Sequence, residues 1–383
     1  MARPRAKADP ILAKAPDDGV ERKDAPCPIV GIGASAGGIA ALQKFFPGVA
    51  PDSGLAYVVI QHLDAEHDSA LASIIQRCAK LESEVVKDET RIEPNRIYVI
   101  PPGSSMTVKD CCLHITKMSD QRSKRTPIDD FLISLAEDQG ENAAGVILSG
   151  TGSDGTIGLR AIKEQGGLTL AQESAEYDGM MRSAVQTGLV DMVLPAETMA
   201  AKLVDYFRHL TRVSGGKEQT DLRRDTADQL SRIAGLLRAR TGHDFSGYKD
   251  NTIHRRVRRR MQVLQIDDPA AFYERLRQEP QQVDLLFQDL LIGVTSFFRD
   301  PRAFELLERT VIPKLFENRK PDETVRVWVP GCATGEEAYS VAMLLREGSP
   351  KLVAAPKLQV FATDIDEHAL EVARAGRYPA AIA

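Results

Sequence analysis

The chain has 383 residues, too many for one ordinary hydrophobic core, so at least two domains are expected. With 43% hydrophobic and 27% charged residues it has a globular composition, and a net charge of −5 gives no overall pull toward nucleic acid or an anionic membrane. Every apolar run falls short of the roughly 18 residues that span a bilayer.

Met1 to Asp24 is charged and proline-containing and lacks the apolar core of a secretory signal, so residues 1–26 read as a disordered tail. The five cysteines, Cys27, Cys78, Cys111, Cys112 and Cys332, form no CxxC pair. They indicate neither a disulfide framework nor a metal site, and suit a reduced, cytoplasmic protein.

From about residue 27 to 210, short continuous apolar runs alternate with helical periods. The runs are 29–32, 56–60, 96–100, 144–148 and 168–171; the helical stretches include 69–79, 127–137 and 157–165. Strands covered on both faces read this way, and their alternation with helices predicts an α/β fold, a doubly wound and mostly parallel sheet with its site at the carboxyl ends of the strands. Residues 103–123 interrupt the pattern and are expected to form a hairpin or flap. A linker is expected over 211–224, then a small all-α domain over 225–290 divided at Gly242, Pro269 and Pro280. A second α/β unit occupies 291–383, with strands at 325–329 and 358–363 around a helix at 337–347.

Gly31-Ile-Gly-Ala-Ser-Ala36 follows the first strand and admits two readings. As GxGxxA it suggests a dinucleotide fingerprint, which needs an acid at the end of the next strand. That strand ends instead in Gln61-His62, and Asp64 comes two residues late. As Gly33-Ala-Ser35-Ala-Gly37 it is a turn presenting a nucleophile at a helix N-terminus. His62 then stands where a base could reach Ser35, and Leu148-Ser-Gly-Thr-Gly-Ser-Asp154-Gly155 supplies an orienting carboxylate at the same sheet edge. Taken singly, each has a bland alternative: a Ser-Gly turn, an Asp-Gly turn and a structural histidine. The order Ser, His, Asp departs from that of the α/β-hydrolases, which would require a histidine after Asp154; His209 lies at a helix end near the linker.

These motifs, with Ile100-Pro-Pro-Gly103, Gly166-Gly-Leu-Thr-Leu-Ala-Gln172 and Asp178-Gly-Met180, resemble the catalytic domain of the chemotaxis receptor methylesterases. The resemblance runs from about Ile29 to Leu210. It implies hydrolysis of glutamate γ-methyl esters on receptors, often with deamidation of receptor glutamines, without metal or cofactor. By position, Ser35 is the nucleophile, His62 the base and Asp154 the orienting acid, and the backbone N–H of Thr151 is the oxyanion donor. Thr151 stands where the family commonly has methionine, and Ala36 where it commonly has threonine. Regulated members carry an N-terminal receiver domain, for which Met1–Asp24 leaves no room.

The stretch 251–261 carries five arginines, Arg255, Arg256, Arg258, Arg259 and Arg260, while Ile253, Val257, Met261 and Leu264 fall on one helical face. A basic outer surface is expected, either solvated or facing an acidic protein; no base-reading module accompanies it. Further on, Val325–Glu337 reads as strand, Gly-containing loop and helix, and Phe361-Ala-Thr-Asp364 ends the next strand in an acid, which suits a ribose-bearing cofactor. With 291–300, these residues resemble the chemotaxis receptor methyltransferases. That implies an S-adenosylmethionine site using Thr295, Arg299, Glu337 and Asp364, with the basic helix recognising acidic receptor signalling helices. Gly293 replaces an asparagine the family often uses. Because 19 residues follow Asp364, this half is expected to be C-terminally incomplete, poorly stable and unable to transfer methyl groups.

The reading is therefore a methylesterase domain fused to the start of a methyltransferase, acting on chemotaxis-type receptors, with no nucleic acid partner and no membrane insertion. Its rival is a non-catalytic nucleotide- or receptor-binding adaptor with a degenerate site.

Overall fold

The computed structural model describes residues 27–61, 70–117, 126–214, 218–245, 250–291, 295–317, 319–320, 323–349 and 356–378. The expected tail over 1–26 and His62 lie outside them.

The first unit contains strands β1 (Ile29–Ala34), β2 (Ala56–Gln61), β3 (Glu82–Val85), β4 (Thr90–Arg91), β5 (Arg96–Val99), β6 (Ser104–Lys109), β7 (Cys112–Lys117), β8 (Ala143–Ile147), β9 (Leu168–Gln172) and β10 (Met192–Leu194). Its helices are α1 (Gly38–Phe45), α2 (Leu71–Cys78), α3 (Pro127–Gln139), α4 (Thr156–Glu164), α5 (Gly179–Gln186) and α6 (Ala196–Ser214). Among the described residues, seven strands form one parallel sheet in the order β10-β9-β8-β1-β2-β5-β3. The central strands β1, β2, β8 and β9 are buried throughout, as their unbroken apolar runs predict. Strands β6 and β7 pair antiparallel, with β4 beside β7, in the hairpin expected from 103–123.

Each face of the sheet carries its own core. Val30, Ile32, Tyr57, Val59, Phe45 and Leu203 pack on the side of α1, α2 and α6. Ile29, Val58, Ile60, Ile147, Phe131 and Leu159 pack on the side of α3, α4 and α5. Each fully buried aliphatic or aromatic side chain contributes about 1.5–3 kcal/mol.

The glycines of the GxG motif belong to this packing. Gly31 and Gly33 lie inside β1 beneath α3, and an added Cβ would come within 2.7 Å of Leu132 Cδ2 and 2.5 Å of Ile128 Cγ2, respectively. They allow α3 to approach the strand, so the phosphate-turn reading fails on geometry as well as on the missing acid.

Beyond residue 214 the chain forms α7 (Glu218–Thr241), α8 (Asp250–Leu264), α9 (Pro269–Gln278) and α10 (Pro280–Leu290). Gly242, with φ of +77°, follows α7, and proline opens both α9 and α10, where a missing N–H is harmless. The expected linker over 211–224 is instead helical at both ends: α6 runs to Ser214 and α7 starts at Glu218. Helix α8 turns Ile253, Val257 and Met261 into a core with Leu237, Phe245 and Leu286, as its spacing predicts.

The last unit contains α11 (Pro301–Leu306), α12 (Ile312–Phe316), β11 (Thr324–Pro330), α13 (Glu336–Gly348), β12 (Lys357–Thr363) and α14 (Glu367–Ala375). Strands β11 and β12 pair in parallel, leaving Trp328 66% and Phe361 50% exposed.

A buried charge cluster joins the first unit to the helical one. Lys163 of α4 reaches Asp191 at 3.2 Å and Asp289 of α10 at 3.0 Å. The Arg259 guanidinium of α8 binds Asp191 through both arms, one at 3.1 Å, and donates to the Gly167 carbonyl at 2.7 Å. Burial alone would raise the Asp191 carboxyl, but Arg259 and then Lys163 outweigh it and hold it well below the usual carboxylate range. Burial likewise opposes the Arg259 charge, and Asp191 and Asp289 more than offset this. Removing one partner strands the others in a medium that solvates them poorly. Asp191→Ala is expected to destabilise the chain by about 3–5 kcal/mol, read from the urea midpoint by circular dichroism. A loss below about 1 kcal/mol would mean that the cluster holds nothing together.

Candidate active site

Sheet register sets the geometry of the edge that carries Ser35. Ala34 pairs with Gln61 across β1 and β2, and Gly33 with Ile147 across β1 and β8, so the three strands end level. The ladder continues past them: the Leu148 amide donates to the Gly33 carbonyl and the Ser35 amide to the Ser149 carbonyl, both at 2.9 Å. Ser35 is the first residue beyond β1 and is half-buried, just ahead of α1. The next residue after Gln61 is His62, so its placement is not described. Asp154 lies at the end of the β8–α4 turn and is 8% exposed; Thr151 is exposed on the same turn.

The turns after β1 and β8 interlock. Ser149 Oγ donates to the Ala36 and Tyr177 carbonyls at 2.9 and 3.2 Å, and the Gly150 amide donates to the Tyr177 carbonyl at 3.0 Å. The Met180 amide donates back to the Gly150 carbonyl at 3.0 Å. A Cβ on Gly150 would stand 2.9 Å from Ser35 Cβ and 2.1 Å from Met180 Sδ, so only glycine lets this backbone lie against the serine. Ser149, Gly150 and Tyr177 hold the serine turn, yet nothing in sequence spacing marks them for that task.

Asp154 has a second set of partners. Its Oδ2 and Oδ1 accept the amides of Ile128 and Asp129, at 3.1 and 2.9 Å, in the first turn of α3. Asp129 in turn accepts the Gly158 amide of α4 at 2.7 Å. Burial, and after it the charge of Asp154, push the Asp129 carboxyl up to about 8. The signal in the sequence was Thr126-Pro127-Ile128-Asp129, a helix start with an acid in its first turn. His209 lies on α6 and its Nε2 sits 2.7 Å from Asp267 Oδ1, so its ion-pair partner is outside the Ser35 and Asp154 turns.

In the last unit, all four residues expected at the cofactor site line one cavity of about 220 Å³. Thr295, Arg299, Glu337 and Asp364 meet there with Gly331 and Ala333. Asp364 accepts the Ala333 amide at 2.7 Å and the Asp366 amide at 2.9 Å, which fixes its carboxylate at the end of β12. An acid at a strand end, a guanidinium and a second carboxylate match the diol, carboxylate and ammonium of S-adenosylmethionine. A larger cleft of about 940 Å³ lies away from Ser35, where the three units meet.

The basic helix departs from expectation. Arg256, Arg259 and Arg260 are 5%, 3% and 3% exposed, turned toward the first unit and the helical core. Arg256 donates to the Lys163 carbonyl at 3.4 Å, Arg258 bonds Glu141 at 2.7 Å, and Arg260 bonds Gln282 at 2.9 Å. Burial, then the charges of Arg255 and Arg259, lower Arg256 to about 10. Arg255 remains exposed. The expected outer basic surface is thus largely an internal contact, because Asp191, Asp289 and Glu141 supply the acid partners within the chain.

Three family descriptions match in succession: CheB methylesterase over residues 30–203, CheR methyltransferase, all-alpha domain, over 228–291, and CheR methyltransferase, SAM binding domain, over 293–383. A putative protein-glutamate methylesterase/protein-glutamine glutaminase of Leptospira interrogans is 33% identical over 172 residues, 44% of this chain and 89% of its own length. An uncharacterized 104.1 kDa protein of Rhodobacter capsulatus is 36% identical over 82% of this chain, which spans 35% of that relative. The CheB methylesterase catalytic domain of Thermotoga maritima matches 47% of this chain and 99% of its own at 28% identity, with a TM-score of 0.44.

Asp364→Ala removes the acceptor of two loop amides, and an unmet buried donor costs about 1–3 kcal/mol. The Ala333 and Asp366 amides are expected to exchange with solvent about tenfold faster or more in hydrogen-exchange measurements, with α3 unaffected. Unchanged exchange at both would show that the carboxylate does not hold this loop.

Proposed function

We propose, for a chain that belongs through residues 30–203 to the CheB methylesterase family and continues into CheR methyltransferase domains, that its first unit hydrolyses glutamate γ-methyl esters on chemotaxis-type receptors. The observation carrying this reading is the level ending of β1, β2 and β8, with Ser35 beyond the first, His62 next after Gln61 of the second, and Asp154 on the turn from the third.

In this reading Ser35 Oγ attacks the ester carbonyl carbon while His62 accepts its proton. The charge developing on the carbonyl oxygen is met by backbone N–H groups, among them that of Thr151, and by the positive end of α1. The C–O bond then breaks, His62 returns the proton, and methanol leaves. Water, activated by His62, attacks the acyl-serine carbon and restores Ser35, leaving a γ-carboxylate on the receptor. Asp154 holds the imidazole in the productive tautomer. Deamidation of glutamine follows the same course with ammonia as the leaving group. No step needs a metal or a cofactor.

In the last unit Asp364 would hold the ribose diol, Arg299 and Thr295 the carboxylate and Glu337 the ammonium of S-adenosylmethionine, which when bound would supply an electrophilic methyl group. The methyl transfer such a site serves and the ester hydrolysis proposed for the first unit oppose each other on the same receptor glutamates. Among the described residues no helix is long and apolar enough to cross a membrane, and the receptor contact is proposed for its acidic signalling helices. Arg255 is the arginine of the basic helix still placed to take part in that contact.

Ser35→Ala is expected to lower methanol release from methylated receptor by a factor of at least about 10⁴, leaving the circular dichroism unchanged. Equal rates for the two proteins, or no release by the intact chain, would favour the adaptor reading instead.

A further inference from the structure

Two aspartates hold each other's helices where α3 meets α4. Asp154, just before α4, takes the amides of the second and third residues of α3; Asp129, the third residue of α3, takes the amide of Gly158 in the first turn of α4. Both are buried, at 8% and 4% exposure, and Asp154 Oδ1 accepts the backbone amide of Asp129 itself at 2.9 Å, which sets the two carboxyls side by side. Carboxylates this close in a poorly solvated site do not both ionise, so one proton stays between them. Both Asp154 oxygens already accept amides, while the Gly158 amide occupies Oδ1 of Asp129, so the shared proton is placed on the Asp129 carboxyl.

We propose that Asp129 is a positioning residue, a carboxylic acid whose O–H donates to Asp154 and fixes the direction in which that carboxylate faces the catalytic base. This rests on the reading of Ser35, His62 and Asp154 as the reacting set. While Asp129 keeps its proton, Asp154 is held by two amides and one hydroxyl. Loss of the proton replaces the hydroxyl with a like charge, and the two carboxylates move apart.

The other charged groups around Asp129 are the same in the wild type and in Asp129→Asn, so the comparison of the two isolates Asp129 from them. Asp130, on the same helix, is bonded by Ser105 Oγ of β6 at 3.1 Å and is pushed upward chiefly by burial. On α4, Arg160 reaches Glu336 at 4.0 Å and Lys163 pairs with Asp191 and Asp289, while burial pushes Glu164 up to about 7 against the opposing charges of Arg160, Arg299 and Arg256. Strands β1 and β8 carry no titratable side chain, and Tyr57 of β2 belongs to the opposite face.

The test is methanol release by the whole chain between pH 6 and 10, with the Ser35→Ala rate subtracted at each pH. The wild type is expected to lose about tenfold or more of its rate between pH 7 and pH 9.5, as Asp129 ionises. Asp129→Asn keeps an acceptor for Gly158 and a weaker donor for Asp154 but cannot ionise. Its rate at pH 7 is expected to fall by about three- to tenfold, and the alkaline limb to disappear. An alkaline limb identical to the wild type's, with Ser35→Ala inactive, overturns this inference alone; a fully active Ser35→Ala overturns the reading beneath it. Should Asp129→Asn fail to fold, isotope-edited infrared spectroscopy of the wild type decides. A carboxylic-acid carbonyl band from aspartate at pH 7, lost as the pH passes 8, is expected, and no such band at pH 7 contradicts the proposal.

Discussion

The first domain depends on the register that makes β1, β2 and β8 end level. Parallel strands whose carboxyl ends coincide deliver their following residues to one edge, and each turn must then find partners for its exposed amides and carbonyls. Here the two turns beside β1 and β8 find them in each other: the Ser35 amide on the Ser149 carbonyl, and Ser149 Oγ on the Ala36 carbonyl. The same hydrogen bonds that satisfy buried backbone also fix where the Ser35 hydroxyl stands. A rigid serine turn is therefore a by-product of closing the sheet edge, without separate machinery.

A second constraint ties the units together. Lys163, Asp191, Arg259 and Asp289 form a cluster buried to a few per cent exposure, with Lys163 and Asp191 from the sheet domain and Arg259 and Asp289 from the helical one. Among the described residues neither Asp289 oxygen makes an aligned hydrogen bond, and the carboxylate faces Lys163, Arg259 and Arg260. Such a cluster contributes little net stability but penalises separation strongly. Helix α4 carries Lys163 at one end and begins just after Asp154 at the other, so the element that anchors the helical domain also frames the site.

Much of the architecture was legible in the sequence. Strands buried on both faces leave unbroken apolar runs, and the five runs read between 29 and 171 all lie in the one sheet, within a residue or two of their observed bounds. Proline and glycine breaks located the helical domain because each has one backbone reason to be where it is. Thr295, Arg299, Glu337 and Asp364, which the methyltransferase resemblance implies for the cofactor, line one cavity. What was not legible depends on partners distant in sequence. Five arginines in six residues look like a solvent face until Asp191 and Asp289 are seen to meet them. Asp129 looks like an ordinary first-turn acid until Asp154 faces it. The short strands β3 and β10, half exposed at the sheet's two edges, lack the apolar run that marked the others.

Ser35 is proposed to be a reactive serine, held against the Gly150 turn. Treating the intact chain with a fluorophosphonate and mapping the adduct by mass spectrometry tests it most directly. A single stoichiometric adduct on the peptide containing Ser35, blocked by prior unfolding in urea, is the predicted result. No adduct there, or equal labelling of several surface serines, would contradict it.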